Sequence, residues 1–298
     1  MSGRLRFDKT KTKHISDVLI NTFDVIDKQH QQTELQNLDT GFDDLDAVIS
    51  GLKKGEVVVV AGRPTMGKTA FALNIANNVA QIYNRPAIIF SLVMDSEDMA
   101  IRLLSMEAEI ERNHLQSRSL SRKESQNCSS AIARLRDRKL YVHSDPNLAF
   151  TDLETAFNQI ALDAGEVPGL IVFDYLQLLV DENAINKLEE LSRYTREFKK
   201  LAIKLKCPII LLSQLPREVE KRQNKRPKLS DLRQGNVEQN AHRVLMLYRD
   251  ECYNLDTPDR GLAEIGIVKN QHGSKGIVKL FFEPQLTKFK NLTEPLEY

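Results

Sequence analysis

The stretch Glu56-Val57-Val58-Val59-Val60-Ala61-Gly62-Arg63-Pro64-Thr65-Met66-Gly67-Lys68-Thr69 decides the fold. Its opening is a β-branched run that reads as a buried strand, and its last eight residues fit GxxxxGK(S/T). An amphipathic segment with Phe71, Leu73, Ile75, Ala76 and Val79 follows, so the order is strand, loop, helix. An ordinary glycine-containing turn is the structural alternative, and the strand and helix on either side argue against it. A loop in this setting presents successive backbone N–H groups to a β-phosphate. Lys68 is expected to reach the β- and γ-phosphates, and the Thr69 hydroxyl to ligate Mg²⁺. The helix opening at Gly67 adds its positive end. Gly62, Arg63, Pro64, Thr65, Met66, Gly67, Lys68 and Thr69 are therefore the expected nucleotide-binding residues.

Length and composition narrow the setting. A chain of 298 residues can bury a sizeable core, and one large α/β domain with an N-terminal appendage is favoured. The formal net charge of +1 excludes a global basic field, so any nucleic-acid contact must come from local patches. Cys128, Cys207 and Cys252 form neither an even set nor a CxxC pair, which argues against a disulfide framework or a zinc site. A reducing, cytoplasmic location follows as an expectation. No apolar run approaches the ~20 residues of a membrane span, and the basic, polar start lacks the apolar core of a signal peptide.

The N-terminal part, residues 1–37, is expected to be flexible, with an amphipathic linker-type helix on which Ile15, Val18, Leu19, Thr22 and Ile26 share a face. From 38 to 298 strands and helices alternate. Candidate strands are 56–61, 86–92, 139–143, 169–174, 208–213, 243–248, 263–269 and 276–282, and candidate helices 67–82, 96–107, 122–136, 151–164 and 186–205. That alternation predicts an α/β fold, a mostly parallel central sheet with helices on both faces. The last two strands, joined through Gln271-His272-Gly273-Ser274, read as a β-hairpin at the sheet edge.

Three further signals bear on chemistry. Gly169-Leu170-Ile171-Val172-Phe173-Asp174 is an apolar strand ending in a carboxylate. Placed on a strand beside the P-loop strand, Asp174 would hold the Mg²⁺ shell, although a turn or helix-cap role is the common alternative. Pro208 to Leu212 leads to Ser213-Gln214, where an amide can contact a γ-phosphate or orient water, or simply make a turn. The loop from Arg217 to Arg233 carries seven basic residues against three acidic ones and no aromatic. A mobile loop of this kind suits contact with a phosphate backbone better than base stacking, and a solvated surface loop is the alternative.

GRPTMGKTAFALNIA, FSLVM, LIVFDYLQLL, LLSQLPREVEKRQNKRPKLSDLR, VEQNAHRVLMLYRDE and AEIGIVKNQHG, in this order, resemble the RecA-like motor domain of DnaB-type replicative helicases. The resemblance covers nearly everything from Leu38 to Phe289. It implies a RecA-like P-loop NTPase that binds ATP and Mg²⁺, with Lys68, Asp174, Gln214 and Lys269 in catalytic roles. It further implies a homo-oligomer, a hexameric ring around single-stranded DNA, or co-assembly with a related helicase, and a helicase loader or primase as candidate partners. DNA contacts fall in two loops, near Val180 to Asn186 and within 217–236. The family's DLRESG stretch reads Asp231-Leu232-Arg233-Gln234-Gly235 here, which makes Arg233, Gln234 and Gly235 the expected DNA-binding residues.

Two positions depart from the family pattern. Where the family has SLEM, whose glutamate activates water, this chain has Ser91-Leu92-Val93-Met94. Valine can neither accept a proton nor orient water. Asp95, two residues on, is expected to cap the next helix. Where the family has KxRxG, whose lysine and arginine reach a neighbour's γ-phosphate, this chain has Lys269-Asn270-Gln271-His272-Gly273. Gln271 lacks the charge and planar fork of an arginine finger. Binding and hydrolysis of ATP therefore separate: the first is expected, the second is expected to be slow or absent.

Overall fold

The computed structural model describes Ile15 and residues 37–117, 120–180, 186–232 and 236–292. The chain divides into two units, Met1–Gln36 and Asn37–Tyr298. The expected helix near 15–27, apart from Ile15, lies outside the described residues, as do most of the first DNA loop and Arg233, Gln234 and Gly235.

In the second unit, β1 (Asn37–Leu38) and β2 (Leu52–Lys53) pair antiparallel around helix α1 (Asp43–Ile49). There follow β3 (Val57–Gly62), α2 (Lys68–Tyr83), β4 (Ala87–Ser91), α3 (Ser96–Ala108), α4 (Arg112–Gln116), α5 (Arg122–Arg136), β5 (Leu140–Ser144) and α6 (Phe150–Ala164). The chain continues through β6 (Leu170–Asp174), α7 (Lys187–Leu205), β7 (Ile209–Gln214), α8 (Val237–Asn240), β8 (Arg243–Tyr248), β9 (Leu262–Asn270), β10 (Gly276–Glu283) and β11 (Lys288–Lys290). Among the described residues, β3 to β11 form a nine-stranded sheet in the order β11-β10-β9-β8-β3-β7-β6-β4-β5.

From β8 to β5 the strands run parallel, whereas β9, β10 and β11 are antiparallel additions. The expected hairpin is β9–β10, and β11 adds one short strand on its outer side. One expectation needs correction. Asp174 does not end a strand beside the P-loop strand, because β7 lies between β3 and β6. Each crossover helix sends the chain to a neighbour that only tertiary packing selects, so strand order cannot be counted from sequence order.

The P-loop strand explains where the core sits. Val57, Val58, Val59, Val60 and Ala61 are all fully buried. Val58 and Val60 face one apolar cluster with Phe71, Leu73, Ile75 and Val79 of α2, while Val57, Val59 and Ala61 face another with Phe157 of α6 and Phe198 of α7. Successive side chains of a strand alternate between faces, so an unbroken apolar run is what two helical layers require. Burying one valine is worth about 1.5–3 kcal/mol, so the four valines of this strand contribute substantially to the packing of both helical layers. Helix ends carry their own signals. Asp95 accepts from the Asp98 amide at the start of α3, and Ser121 with Glu124 forms a capping box at α5. Among the described residues no helix is long and apolar enough to cross a membrane.

Candidate nucleotide site

β3 delivers the P-loop to the carboxyl edge of the sheet, where α2 begins. The loop turns through Thr65 at φ 69° and Gly67 at φ 96°. A Cβ on Gly67 would stand 3.2 Å from two ring atoms of Phe282 and 3.3 Å from Phe289, so the loop rests on a pair of aromatic rings. Those rings stack at 4.2 Å and continue through Phe71 to Phe42, which anchors the loop to the core. Arg63 is buried and fixes the loop from the other side. Its Nη1 donates to the Leu215 carbonyl at 2.7 Å and its Nε to Glu220 at 2.9 Å.

Lys68 donates to the Arg63 carbonyl at 3.1 Å. Burial lowers its ammonium to a pKa of about 8, against the opposing pull of Asp174. The Thr69 hydroxyl donates to Asp174 Oδ2 at 2.7 Å. Burial raises the Asp174 carboxyl, opposed by this hydroxyl, Lys68 and Arg102. The two expected metal ligands thus meet although their strands are not neighbours, because the first turn of α2 reaches across the end of β7. The hydroxyl and the carboxylate are oxygen donors that would hold a hydrated Mg²⁺, and the ammonium alongside would suit a phosphate group.

A cleft of about 460 Å³ opens over these residues, lined by Thr65, Gly67 to Ala70, Arg102, Arg112, Arg249, Phe282, Pro284 and Thr287. Arg249 donates to the Thr65 carbonyl at 3.0 Å, is held by Glu251, and lies 4.8 Å over the Phe282 ring. Phe282 is buried between Phe289 and Arg249, so the ring supports the wall of the cleft and the guanidinium caps it. Arg102 comes from α3, and its pKa is lowered first by burial and then by the charge of Arg112. None of these four, Arg102, Arg112, Arg249 and Phe282, was singled out from the sequence. Only Arg249 carried a local signal, as the residue following a buried strand.

Gln214 ends β7 directly opposite Gly62, beside the P-loop. Its backbone is held by Gln177, which accepts from the Gln214 N–H at 3.1 Å and donates to Ser213 Oγ at 2.8 Å. The basic loop that follows departs from the expected mobile segment. It folds into short 3-10 turns at Arg217–Lys221 and Leu229–Leu232. Arg222 makes a two-point pair with Asp231 at 3.0 and 2.8 Å, and Arg226 makes one with Glu264 at 2.8 and 2.7 Å. Tyrosines from outside the loop also reach it. Lys225 stands 4.7 Å over the Tyr253 ring and Arg226 4.7 Å over Tyr248. Two of the loop's basic residues, Arg222 and Arg226, are therefore held in ion pairs, one within the loop and one to β9, a division that composition alone cannot reveal.

Lys269 and Gln271 do not join this cleft. Asn270 pairs with Arg243 across β8–β9, and Arg243 pairs with Val58, so this segment lies at the start of β3. The P-loop leaves the opposite end, on the order of 13 Å away at ~3.3 Å per strand residue. Lys269 Nζ is held by the carbonyls of Glu238 at 2.6 Å and Ala241 at 2.7 Å. Val93 follows β4 in a bend and is 55% exposed. Leu92 before it donates to the Asp174 carbonyl at 2.8 Å, which sets Val93 close to the metal-side carboxylate strand. Asp95 is engaged as the helix cap, as expected, and does not replace a glutamate.

A P-loop on the central strand of a mostly parallel sheet, with a carboxylate two strands away and an antiparallel extension, defines a RecA-like P-loop NTPase domain. Residues 37–291 match the model of the DnaB-like helicase C-terminal domain. The chain belongs to that family. It is 38% identical over 284 residues to the replicative DNA helicase DnaB of Geobacillus stearothermophilus, and 37% identical over 284 residues to the replicative DNA helicase DnaC of Bacillus subtilis strain 168. These alignments cover 94% of this chain and 62% of each relative, so the chain spans less than two thirds of their length. A solved DnaB-like replicative helicase, described with its interactions with primase, superposes with a TM-score of 0.84 at 29% identity, covering 95% of this chain and 68% of that one.

Proposed function

We propose that this chain is the ATP-binding motor part of a DnaB-like replicative helicase, acting as a ring of copies on single-stranded DNA. The observation that carries this reading is the Thr69–Asp174 contact of 2.7 Å beside Lys68 in the cleft. Bound Mg²⁺ would be held by Thr69 and Asp174 and would neutralise charge on the phosphates. Lys68 would hold the β- and γ-phosphates, and Gln214 beside Gly62 would sense the terminal phosphate. Arg249, stacked over the Phe282 ring, would border the bound nucleotide. Lys269 and Gln271, at the far end of β3, would act on the site of a neighbouring copy. Arg233, Gln234 and Gly235 would contact the DNA backbone.

Val93 and the engaged Asp95 favour a second reading of the same site: an ATP-binding ring component that turns over slowly and works with, or modulates, an active helicase. Both readings require nucleotide binding. Calorimetric titration with ATP, with and without Mg²⁺, is expected to show binding that Mg²⁺ strengthens. Thr69→Val is expected to lose most of the Mg²⁺ dependence and to weaken Mg·ATP about 10-fold or more, because a charge-assisted contact is removed. No binding by the parent chain at millimolar ATP, or unchanged Mg²⁺ dependence in the variant, would overturn the reading.

A further inference from the structure

Arg112 is a cation of the cleft that the P-loop pattern does not include. It begins α4, where its backbone N–H donates to the Gln285 carbonyl at 3.2 Å and ties α4 to the turn after β10. Arg112 lines the nucleotide cleft together with Lys68, Thr69 and Ala70. It also lines an adjoining recess of about 180 Å³ with Glu111, Asn113, Pro284 and Gln285. The Nε is buried and has no hydrogen-bond partner. Among the described residues no carboxylate forms an ion pair with Arg112, whereas Arg249 in the same cleft is paired with Glu251.

A buried guanidinium N–H without an acceptor is costly, and a second guanidinium, Arg102, lies close enough to raise that cost. A phosphate group relieves both penalties, because its oxygens match the planar fork and its charge offsets the like pair. We propose that Arg112 is a phosphate contact for the bound nucleotide, supplied by the same chain, and that it favours nucleotides with longer phosphate chains. The inference rests on the nucleotide-binding reading above. It adds an in-chain cation to a site whose trans arginine is replaced by Gln271.

The test is calorimetric titration of the full chain with Mg·ATP, ADP and AMP, for the parent, Arg112→Gln, Arg112→Lys and Arg136→Gln. Arg136 is largely exposed on α5, so its variant controls for net charge alone. Arg112→Gln is expected to weaken ATP about 10-fold or more, ADP less and AMP least, consistent with loss of a charge-assisted contact. Arg112→Lys should fall between, and Arg136→Gln should match the parent. Should Arg112→Gln fail to fold, Arg112→Lys still decides, since a lysine cannot reproduce the planar fork. Parent-like ATP affinity in a folded Arg112 variant, or equal weakening of ATP and AMP, overturns the proposal while leaving nucleotide binding intact. Absence of ATP binding by the parent overturns both.

Discussion

Gly67 shows how much of the site hangs on single positions. Its φ of 96° is open to glycine, and any Cβ there would press on Phe282 and Phe289. Gly67→Ala is expected to cost about 1–3 kcal/mol in urea unfolding, from a strained backbone and a forced shift of the aromatic pair. It should also weaken ATP binding, because the same residue shapes the phosphate loop. Wild-type stability with wild-type affinity would contradict this account of the loop. At this scale the sequence was informative where a motif fixes spacing. Lys68, Thr69 and Asp174 were legible and do meet. Arg102, Arg112 and Phe282 were not, because each is an ordinary residue in its own element, and only the packing of α3, α4 and β10 around the P-loop gathers them.

At the scale of elements, β3 was readable because its apolar run is long and is buried on both faces. The position of β6 was not, since pairing across β7 is a long-range choice. The junction of β3 and β8 adds a contact with a pH signature. His242 Nδ1 accepts from the Val57 amide at 3.0 Å. Burial first, and then the charges of Lys199, His272, Lys269 and Arg243, lower its pKa from 6.5 to about 4. The unfolded chain takes up this proton as pH falls through 6.5, whereas the folded chain resists until about 4. Stability from this group is therefore present above 6.5 and is lost as pH falls toward 4. Asp46, raised to about 6 chiefly by burial, works in the opposite direction below that value. Comparing the parent with His242→Gln separates the two. Between pH 7 and pH 5 the urea midpoint of the parent should fall more than that of the variant, and an equal fall would exclude His242 as the cause.

Over the whole molecule, the two ends of β3 divide the labour. The carboxyl end carries Lys68, Thr69, Gln214 and the arginine-lined cleft, while the amino end carries Lys269 and Gln271, out of reach of that cleft. Gln271 would matter to such a cleft only across a contact between copies, as in the ring we propose. The sequence revealed both departures, Val93 and Gln271, through its resemblance to the family. It could not reveal that Asp95 is already engaged at a helix start, or that the basic loop spends Arg222 and Arg226 on ion pairs. The claim we propose is therefore specific: Lys68, Thr69 and Asp174 would hold Mg·ATP, while Val93 and Gln271 would leave its hydrolysis slow. An arginine finger alone is worth ~10³ to 10⁵ in turnover in other P-loop enzymes. The most direct measurement is single-strand-stimulated ATPase at saturating Mg·ATP, for the parent and the Val93→Glu, Gln271→Arg double variant side by side. The account predicts turnover by the parent at least about 100-fold below the double variant. Comparable turnover in the two would contradict it.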